Sequence, residues 1–286
     1  MKIVIVGTAY PFRGGLAAFN ERLARQFANE GHEVEMVTFT VQYPSVLFPG
    51  KTQYSDEPQP SDLKIKRLIN SVNPLTWTKA GKYIKNLNAD KVIFCYWMAF
   101  MAPCFGTIAR IVRSEKTKTV ALVHNMIPHE PTILDKLFPS YFVSAMDGFV
   151  AMAESVANDI RSFAGSKVPV AVSPHPIYDH YGEQQEKPNA AMRLGLHEKI
   201  NYILFFGFIR EYKGLDLLLE AFADKRLREF PVKLIVAGEF YENPESYLKL
   251  IHQLKLESEI ELRTIFIPDS EVKNYFSIAD IVAQPY

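Results

Sequence analysis

The fold is decided by the stretch Phe206-Gly207-Phe208-Ile209-Arg210-Glu211-Tyr212-Lys213-Gly214-Leu215-Asp216-Leu217-Leu218-Leu219-Glu220-Ala221-Phe222. It completes an apolar strand that begins at Tyr202, and it leads into a predicted helix whose leucines recur at helical spacing. Arg210 and Lys213 lie between the two. Two positive charges, backbone N–H groups and the helix dipole can converge there on a phosphate-bearing ligand. The stretch predicts an anion site in an α/β sheet; solvated cations on a surface loop are the alternative.

The bulk composition indicates a soluble globular protein with two domains. The chain has 286 residues, of which 48% are hydrophobic and 22% charged, and this length exceeds most single cores. Basic and acidic residues both number 32, so the formal net charge is zero and no attraction to nucleic acid is indicated. Cys95 and Cys104 lie in apolar surroundings, where a buried free thiol is the default. The start of the chain, Met1 to Gly7, has the pattern of a strand rather than of a signal peptide. For both reasons we expect a cytoplasmic protein.

The segment Val92 to Val112 has the length of a transmembrane helix. Pro103 and Gly106 interrupt it, Arg110 lies inside it, and its first half has the β-rich composition of a buried strand. The sequence therefore predicts a strand, a loop and a helix here.

Strand-like apolar runs alternate with helical segments along most of the chain, which predicts mostly parallel, doubly wound sheets. The first domain, residues 1–175, has predicted strands at Lys2 to Gly7, Glu33 to Phe39, Lys91 to Tyr96, Thr119 to Val123, Gly148 to Ala151 and Val168 to Val172. Residues 176–200 are rich in proline and polar residues and are predicted to be a linker. The second domain, residues 201–286, has predicted strands at Tyr202 to Phe206, Val232 to Ala237, Ile260 to Ile265 and Ile281 to Gln284. Two Rossmann-like domains facing each other across a cleft are the expected architecture.

The last residues, Asp280 to Tyr286, have the composition of a buried strand, and no helix follows to cover it. We therefore expect the second domain to be incomplete in this chain.

A loop from Thr8 to Gly15 joins the first strand to the first helix. Paired glycines, Gly14 and Gly15, allow backbone N–H groups to approach a phosphate; a permissive turn is the alternative. A nicotinamide-binding site is disfavoured, because the glycines lack the G-x-G-x-x-G spacing and the second strand ends in Thr38-Phe39-Thr40 without an acidic residue.

His124-Asn125 follows the strand Thr119 to Val123, at the end where such sheets bind ligands. Its imidazole can hydrogen-bond a sugar hydroxyl or stabilise developing charge. The alternative is that His124 only packs within its own loop. His129, which lies close by in the sequence, is the competing candidate for the sugar-binding histidine. No metal site is predicted, because the histidines lack paired spacing and no Asp-x-Asp occurs.

These motifs resemble those of the retaining GT-B glycosyltransferases of family 4. The Gly14-Gly15 loop is similar to the family's amino-terminal glycine loop, His124-Asn125 to its histidine after a central strand, and residues 173–177 to its interdomain crossing. The most specific likeness is residues 207–218, where a glycine, an arginine and a lysine-glycine pair precede a leucine-rich helix. Residues 275–285 also fit the family pattern, so the resemblance covers essentially the whole chain.

The resemblance implies sugar transfer from a nucleotide-sugar donor to an acceptor hydroxyl, with retention and without a metal or cofactor. Arg210 and Lys213 would hold the donor's diphosphate beside the strand-ending Gly207, the Gly14-Gly15 backbone would border it, and His124 would touch the donor sugar. Gly238-Glu239 falls where the family's loop approaches the nucleoside, and a plain turn is its alternative. The family's two glutamates, seven residues apart, and its returning carboxy-terminal helix lie beyond the printed sequence. A non-catalytic nucleotide-sugar or glycan binding module is therefore the rival hypothesis.

The acceptor is expected to be a glycan or a lipid-linked glycan, selected by the first-domain loops Tyr43 to Tyr54 and Asn125 to Pro139. Members of the family can contact a membrane surface at the inner face. The sequence pattern shows no strong basic amphipathic stripe, so peripheral membrane contact is left open.

Overall fold

A computed structural model describes residues 1–44, 48, 50, 52–127, 134–165 and 168–285. The chain forms two compact α/β units. The first comprises Met1–Phe48 and Thr52–Ile177, and the second begins at Tyr178. Tyr286, the last residue of the second predicted domain, lies outside the described residues.

In the described ranges, the first unit contains a seven-stranded sheet in the order β3-β2-β1-β4-β5-β6-β7. Its strands are β1 Lys2–Val6, β2 Glu33–Val41, β3 Ile65–Asn70, β4 Lys91–Tyr96, β5 Lys118–Val123, β6 Gly148–Ala151 and β7 Val170–Val172. All neighbouring pairs are parallel; Ile3, for example, lies opposite Val34 on β2 and Lys91 on β4. This is the strand order of a Rossmann-like sheet.

Helices cover both faces of this sheet. Their bounds are α1 Gly15–Asn29, α2 Pro74–Asn86, α3 Ala102–Val112, α4 Leu134–Val143 and α5 Glu154–Ala164. The start of α2 is fixed by Asn73, whose side chain accepts a hydrogen bond from Leu75 N, and by Pro74 in the first turn. The segment Val92 to Val112 divides into β4 and α3, which confirms the predicted strand, loop and helix. Among the helices in the described part of the chain, none is both long and apolar enough to span a bilayer.

Aromatic side chains fill one face of the first sheet. Tyr96 stacks on Phe142 at a centroid distance of 4.5 Å, and Phe105 packs against both Phe94 and Phe142. Cys95 and Cys104 are buried free thiols, as predicted. Burial raises the pKa of Cys95 to about 12 and also raises the pKa of Cys104.

The described part of the second unit contains a four-stranded parallel sheet in the order β10-β9-β8-β11. Its strands are β8 Asn201–Phe206, β9 Val232–Ala237, β10 Ile260–Arg263 and β11 Ile281–Val282, and its helices are α6 Lys187–Leu194, α7 Leu215–Phe222, α8 Lys225–Arg228, α9 Glu245–Gln253 and α10 Asp269–Ile278. Leu215, Leu219 and Phe222 of α7 are buried against one face. Tyr275 and Ile278 of α10 are buried against the other.

The linker prediction for residues 176–200 is wrong for Lys187–Leu194, which forms α6. Ala190 and Ala191 bury this short helix in the second unit's core. Its proline stands in the first turn, where the missing N–H costs nothing, and Gly195 ends it with φ 68°. The proline-rich, polar composition gave no sign of this helix, whose apolar face includes only two buried alanines. The domain bounds themselves stay a prediction.

Two strands also differ from expectation. The edge strand β3 was not predicted, because its sequence IKRLIN carries two cations and only partial alternation. The terminal strand β11 was expected to be buried, yet Ile281 and Val282 are 59% and 42% exposed.

Matched leucines on α7 test the packing of the second unit. Leu219 is fully buried and Leu217 is 57% exposed. We expect Leu219→Ala to lower the free energy of unfolding by about 2–5 kcal/mol, since it removes buried methyl groups and leaves a cavity. Leu217→Ala should change it by less than about 0.5 kcal/mol. Urea denaturation followed by circular dichroism makes the comparison, and equal losses would contradict this orientation of α7.

Candidate functional site

The loops that follow β8 and β9 are joined by backbone hydrogen bonds beyond the ends of the strands. Gly207 N donates to Ala237 O at 3.0 Å, Ile209 N to Glu239 O at 2.9 Å, and Tyr241 N to Ile209 O at 3.0 Å. Ladder pairing therefore continues into the predicted site and holds the two loops side by side.

Gly238 is required by this close approach. A Cβ at Gly238 would lie 1.8 Å from Gly207 O, and the φ of Gly238 is +145°. Gly207 also has a positive φ, +117°, but a Cβ there would meet nothing within 4 Å. Packing between the two loops therefore explains Gly238, and its predicted role near a nucleoside stays a prediction.

Arg210 and Lys213 lie at the two ends of one turn. Residues Glu211–Lys213 form a short 3-10 helix that Arg210 precedes, and Lys213 N donates to Arg210 O at 2.9 Å. Gly214 then adopts a left-handed conformation, with φ 66°, and α7 begins. The turn places both cationic side chains near the ring of Phe208.

Both cations flank the ring of Phe208. Arg210 Cζ lies 5.9 Å and Lys213 Nζ 5.2 Å from the centroid of that ring, which is within the range of cation–π attraction. The sequence prediction that these two charges converge on a phosphate stays a prediction. The arrangement concentrates positive charge at the carboxyl end of β8.

Tyr241 completes the cluster from the neighbouring loop. Its ring stacks on Phe208 with centroids 5.0 Å apart and an interplanar angle of 17°, and Arg210 Cζ lies 5.6 Å from its centroid. Arg210 Nε is buried and has no hydrogen-bond partner among the described residues. Sequence reasoning missed Phe208 and Tyr241 as site residues. Phe208 stood within the quoted motif, whereas nothing local to Tyr241 signalled its pairing across two loops.

The backbone of Glu239 joins the two loops. The residue is only 4% exposed, and its carbonyl oxygen accepts the hydrogen bond from Ile209. The structure thus places Gly207, Arg210, Lys213, Gly238 and Glu239 in one pair of adjoining loops.

In the first unit, Gly14 and Gly15 open helix α1. Gly14 has φ +99°, and a Cβ there would meet nothing within 4 Å. Ala17 N and Ala18 N both donate to Gly14 O, so the amides of Gly15 and Leu16 precede the first helical hydrogen bonds. The first turn of α1 carries no acidic residue. This helix end therefore combines an open backbone with an undiminished positive dipole end.

His124 follows β5 and has a neutral imidazole at physiological pH. Its backbone N–H donates to Tyr96 O at 2.9 Å, and its ring lies edge-on to Phe19 of α1 with centroids 5.0 Å apart. Burial, with a smaller contribution from nearby His175, lowers the pKa of His124 to about 4. Its Nε2 is buried without a hydrogen-bond partner in the described part of the chain. This nitrogen can exchange a hydrogen bond with a ligand hydroxyl.

His175 is a second imidazole that sequence reasoning did not assign to the site. It lies in the predicted crossing segment, 5.7 Å from His124 and 5.0 Å from Phe19 between ring centroids. Its Nδ1 lies 3.1 Å from Pro176 O. The quoted Ser173-Pro174-His175-Pro176 motif was the available signal, but only the fold brings it to His124.

Some predicted features fall outside the described residues. His129 and most of the proline-rich part of the loop Asn125 to Pro139 lie there, as do residues 45–47, 49 and 51 of the loop Tyr43 to Tyr54. Within the ranges that the structure describes, no three His, Cys, Asp or Glu side chains form a cluster suited to a metal ion.

Family comparisons cover both units. Residues 13–180, more than half of the chain, match the model described as Glycosyltransferase Family 4. Residues 186–286 match the model described as Glycosyl transferases group 1.

Two curated proteins and one solved structure illustrate the similarity. An uncharacterized glycosyltransferase of Methanocaldococcus jannaschii is 25% identical over 307 residues, with 100% of this chain and 74% of that protein covered. N-acetyl-alpha-D-glucosaminyl L-malate synthase of Bacillus anthracis is 22% identical over 275 residues, covering 91% and 67% respectively. Anabaena HepE, solved in complex with UDP-glucose, has a TM-score of 0.69 at 14% identity, with 99% of this chain and 73% of that one covered.

Two glycine variants test the packing of the loops after β8 and β9. We expect Gly207→Ala to cost about 1–3 kcal/mol of stability through backbone strain alone. Gly238→Ala should cost more, because the added methyl group also collides with Gly207 O. Thermal unfolding of the two variants checks the order, and a milder effect at Gly238 would contradict the close approach.

The pKa of His124 predicts a specific loss of stability in acid. Its ordinary pKa is 6.5 and its folded pKa is about 4, so the unfolded chain takes up a proton first as the pH falls. The contribution of His124 to the free energy of unfolding should therefore be intact above pH 6.5 and decline towards pH 4.

His124→Gln should flatten that part of the stability curve, measured by urea denaturation across the same pH range. An NMR titration of the His124 ring in the native protein provides the direct control. A ring that gained its proton near its ordinary pKa would contradict the buried, neutral state.

Proposed function

Because the chain belongs to glycosyltransferase family 4, we propose that it transfers a sugar from a nucleotide-sugar donor to an acceptor hydroxyl. Its GT-B fold, shared along nearly the whole chain with solved structures, is the framework for this proposal. The proposal includes retention of the anomeric configuration and independence from a metal ion. The acceptor class that we propose is a glycan or a lipid-linked glycan.

One observation carries the proposal: Arg210 and Lys213 flank Phe208 at the carboxyl end of β8. When the sugar–phosphate bond breaks, the departing nucleoside diphosphate gains negative charge. Fixed cations aimed at that charge stabilise the transition state without reorganising. Arg210 can also offer two parallel N–H groups to phosphate oxygens, which an ammonium group cannot do.

The loops after β8 and β9 have room and backbone groups for the diphosphate and the nucleoside of a donor. Gly207 leaves open space where a side chain would otherwise stand, and the joined Gly238-Glu239 loop offers backbone groups beside it. We propose that this loop pair binds the donor's diphosphate and approaches its nucleoside. The structural neighbour HepE, solved with UDP-glucose, supports a nucleotide-sugar donor.

The first unit supplies groups of a different kind. The open amides at Gly14 and Gly15 suit an anionic oxygen, and neutral His124 suits a hydroxyl group. We propose that these residues contribute to sugar transfer through hydrogen bonds rather than through charge. The name of the Bacillus anthracis relative describes a glucosaminyl product, which supports chemistry on a sugar.

Removal of the Arg210 guanidinium tests the proposed leaving-group stabilisation. A screen of nucleotide sugars for thermal stabilisation of the protein would first identify the donor. With that donor, we expect Arg210→Ala to lower kcat by about 100- to 1000-fold, since it removes one preorganised charge partner of the transition state. Arg210→Lys should recover only part of the rate, because it restores the charge but not the planar fork.

Arg193→Ala is the matched control. Arg193 is an exposed arginine of the same unit, on α6, and its loss should leave kcat unchanged. Circular dichroism melts would show that all variants fold. Full activity of folded Arg210→Ala would remove this residue from the site and the proposal with it.

A further inference from the structure

The two loops after β8 and β9 keep the register of the strands that precede them. Ile209 forms a parallel bridge with Phe240, without a shift from the pairing of the two strands. Side chains along such a ladder alternate between its two faces. Phe208, Arg210 and Tyr241 therefore share one face, and Ile209 and Phe240 lie on the other.

The face formed by Ile209 and Phe240 is packed into the second unit's core. Ile209 is fully buried in the same hydrophobic cluster as the apolar side of α7, and Phe240 packs against that cluster. Backbone hydrogen bonds of 2.9 and 3.0 Å join Ile209 to Glu239 and Tyr241. The core therefore supports the opposite face of the ladder from behind.

On that opposite face, the stacked rings of Phe208 and Tyr241 form what we call the aromatic pair. Arg210 Cζ lies 5.9 Å from one centroid and 5.6 Å from the other. Lys213 Nζ lies 5.2 Å from the centroid of Phe208, so this ring contacts both cations. Phe208 is itself 42% exposed. Burial therefore accounts for only part of what an aromatic ring contributes at this position.

Arg210 depends on these rings for its orientation. Its Nε has no hydrogen-bond partner, and no carboxylate in the described part of the chain forms an ion pair with its guanidinium. Fixing a long side chain in one rotamer costs conformational entropy. A carboxylate would fix the guanidinium and neutralise it, whereas the face of a ring attracts a cation and brings no opposite net charge. The aromatic pair thus fixes Arg210 and leaves its charge for a ligand.

We propose that Phe208, held by its stacking on Tyr241, is a positioning residue that fixes Arg210 and Lys213 for the donor's diphosphate. This role rests on the proposed sugar transfer, and the ring acts through the two cations rather than by touching the donor. Charges that are already in place stabilise a transition state without reorganising. Small displacements of such groups cost much of the rate.

Phe208→Leu tests this role, because it keeps an apolar side chain and removes the ring. With the donor found by thermal stabilisation, we expect kcat to fall about 10- to 100-fold. The KM for the donor should change by less than about threefold, since the lost interaction acts only in the transition state. Phe208→Tyr, which keeps the ring, should retain most of the rate. A large rise in KM with kcat unchanged would mean direct stacking on the donor and would overturn the positioning role.

A double-mutant cycle shows whether Phe208 acts through Arg210. In the Arg210→Ala background, Phe208→Leu should lower kcat several-fold less than it does in the wild-type protein, because one of its two cations is gone. A merely structural effect of Phe208→Leu would be the same in both backgrounds. Equal effects would therefore contradict the positioning role.

Phe230→Leu is the matched control. Phe230 is 64% exposed and precedes β9, at the amino edge of the same sheet, so its loss should leave kcat unchanged. Thermal melts would show that every variant folds. Full activity of folded Arg210→Ala would overturn the proposed sugar-transfer site and the role of Phe208 together. A slow Arg210→Ala beside a fully active Phe208→Leu would overturn the role of Phe208 alone.

Discussion

Burial of the central strands on both faces is the constraint that positions everything functional in this protein. Val4, Ile5 and Val6 of β1, Phe94 and Cys95 of β4, and Leu234 to Val236 of β9 are fully buried. Such strands carry apolar side chains on both sides and leave no room for polar groups. Polar chemistry is therefore displaced to the strand ends. Because the strands are parallel, their carboxyl ends lie at one edge of each sheet, and every predicted site residue follows such an end.

The two units use that edge in different electrostatic ways. In the second unit, Arg210 Cζ and Lys213 Nζ lie 5.9 and 5.2 Å from the centroid of the Phe208 ring, whose face attracts cations. In the first unit, burial removes the charge of His124 and leaves helix dipole and backbone groups. The carboxyl edge of the second sheet thus carries cationic side chains, whereas that of the first carries a neutral imidazole and the amino terminus of a helix.

Sequence patterns predicted most of the strands and the position of Arg210 and Lys213 after β8, because both follow from local composition. The strands Lys91–Tyr96, Gly148–Ala151 and Val232–Ala237 have the predicted bounds. Features set by tertiary contact were missed. The pairing of Phe208 with Tyr241 depends on two loops meeting, and His175 reaches His124 only after the chain has crossed the sheet. Strand β3 and helix α6 were missed because edge exposure and a two-alanine core contact leave weak hydrophobic patterns.

The two cysteines can report on transient opening of the first unit. Both thiols are buried there, and their raised pKa values keep them protonated at neutral pH, so neither is nucleophilic while the sheet is closed. The second unit has no cysteine in the sequence from Tyr178 onward. The rate at which a thiol-specific dye labels the native protein thus measures transient opening of the first sheet alone, without any engineered label.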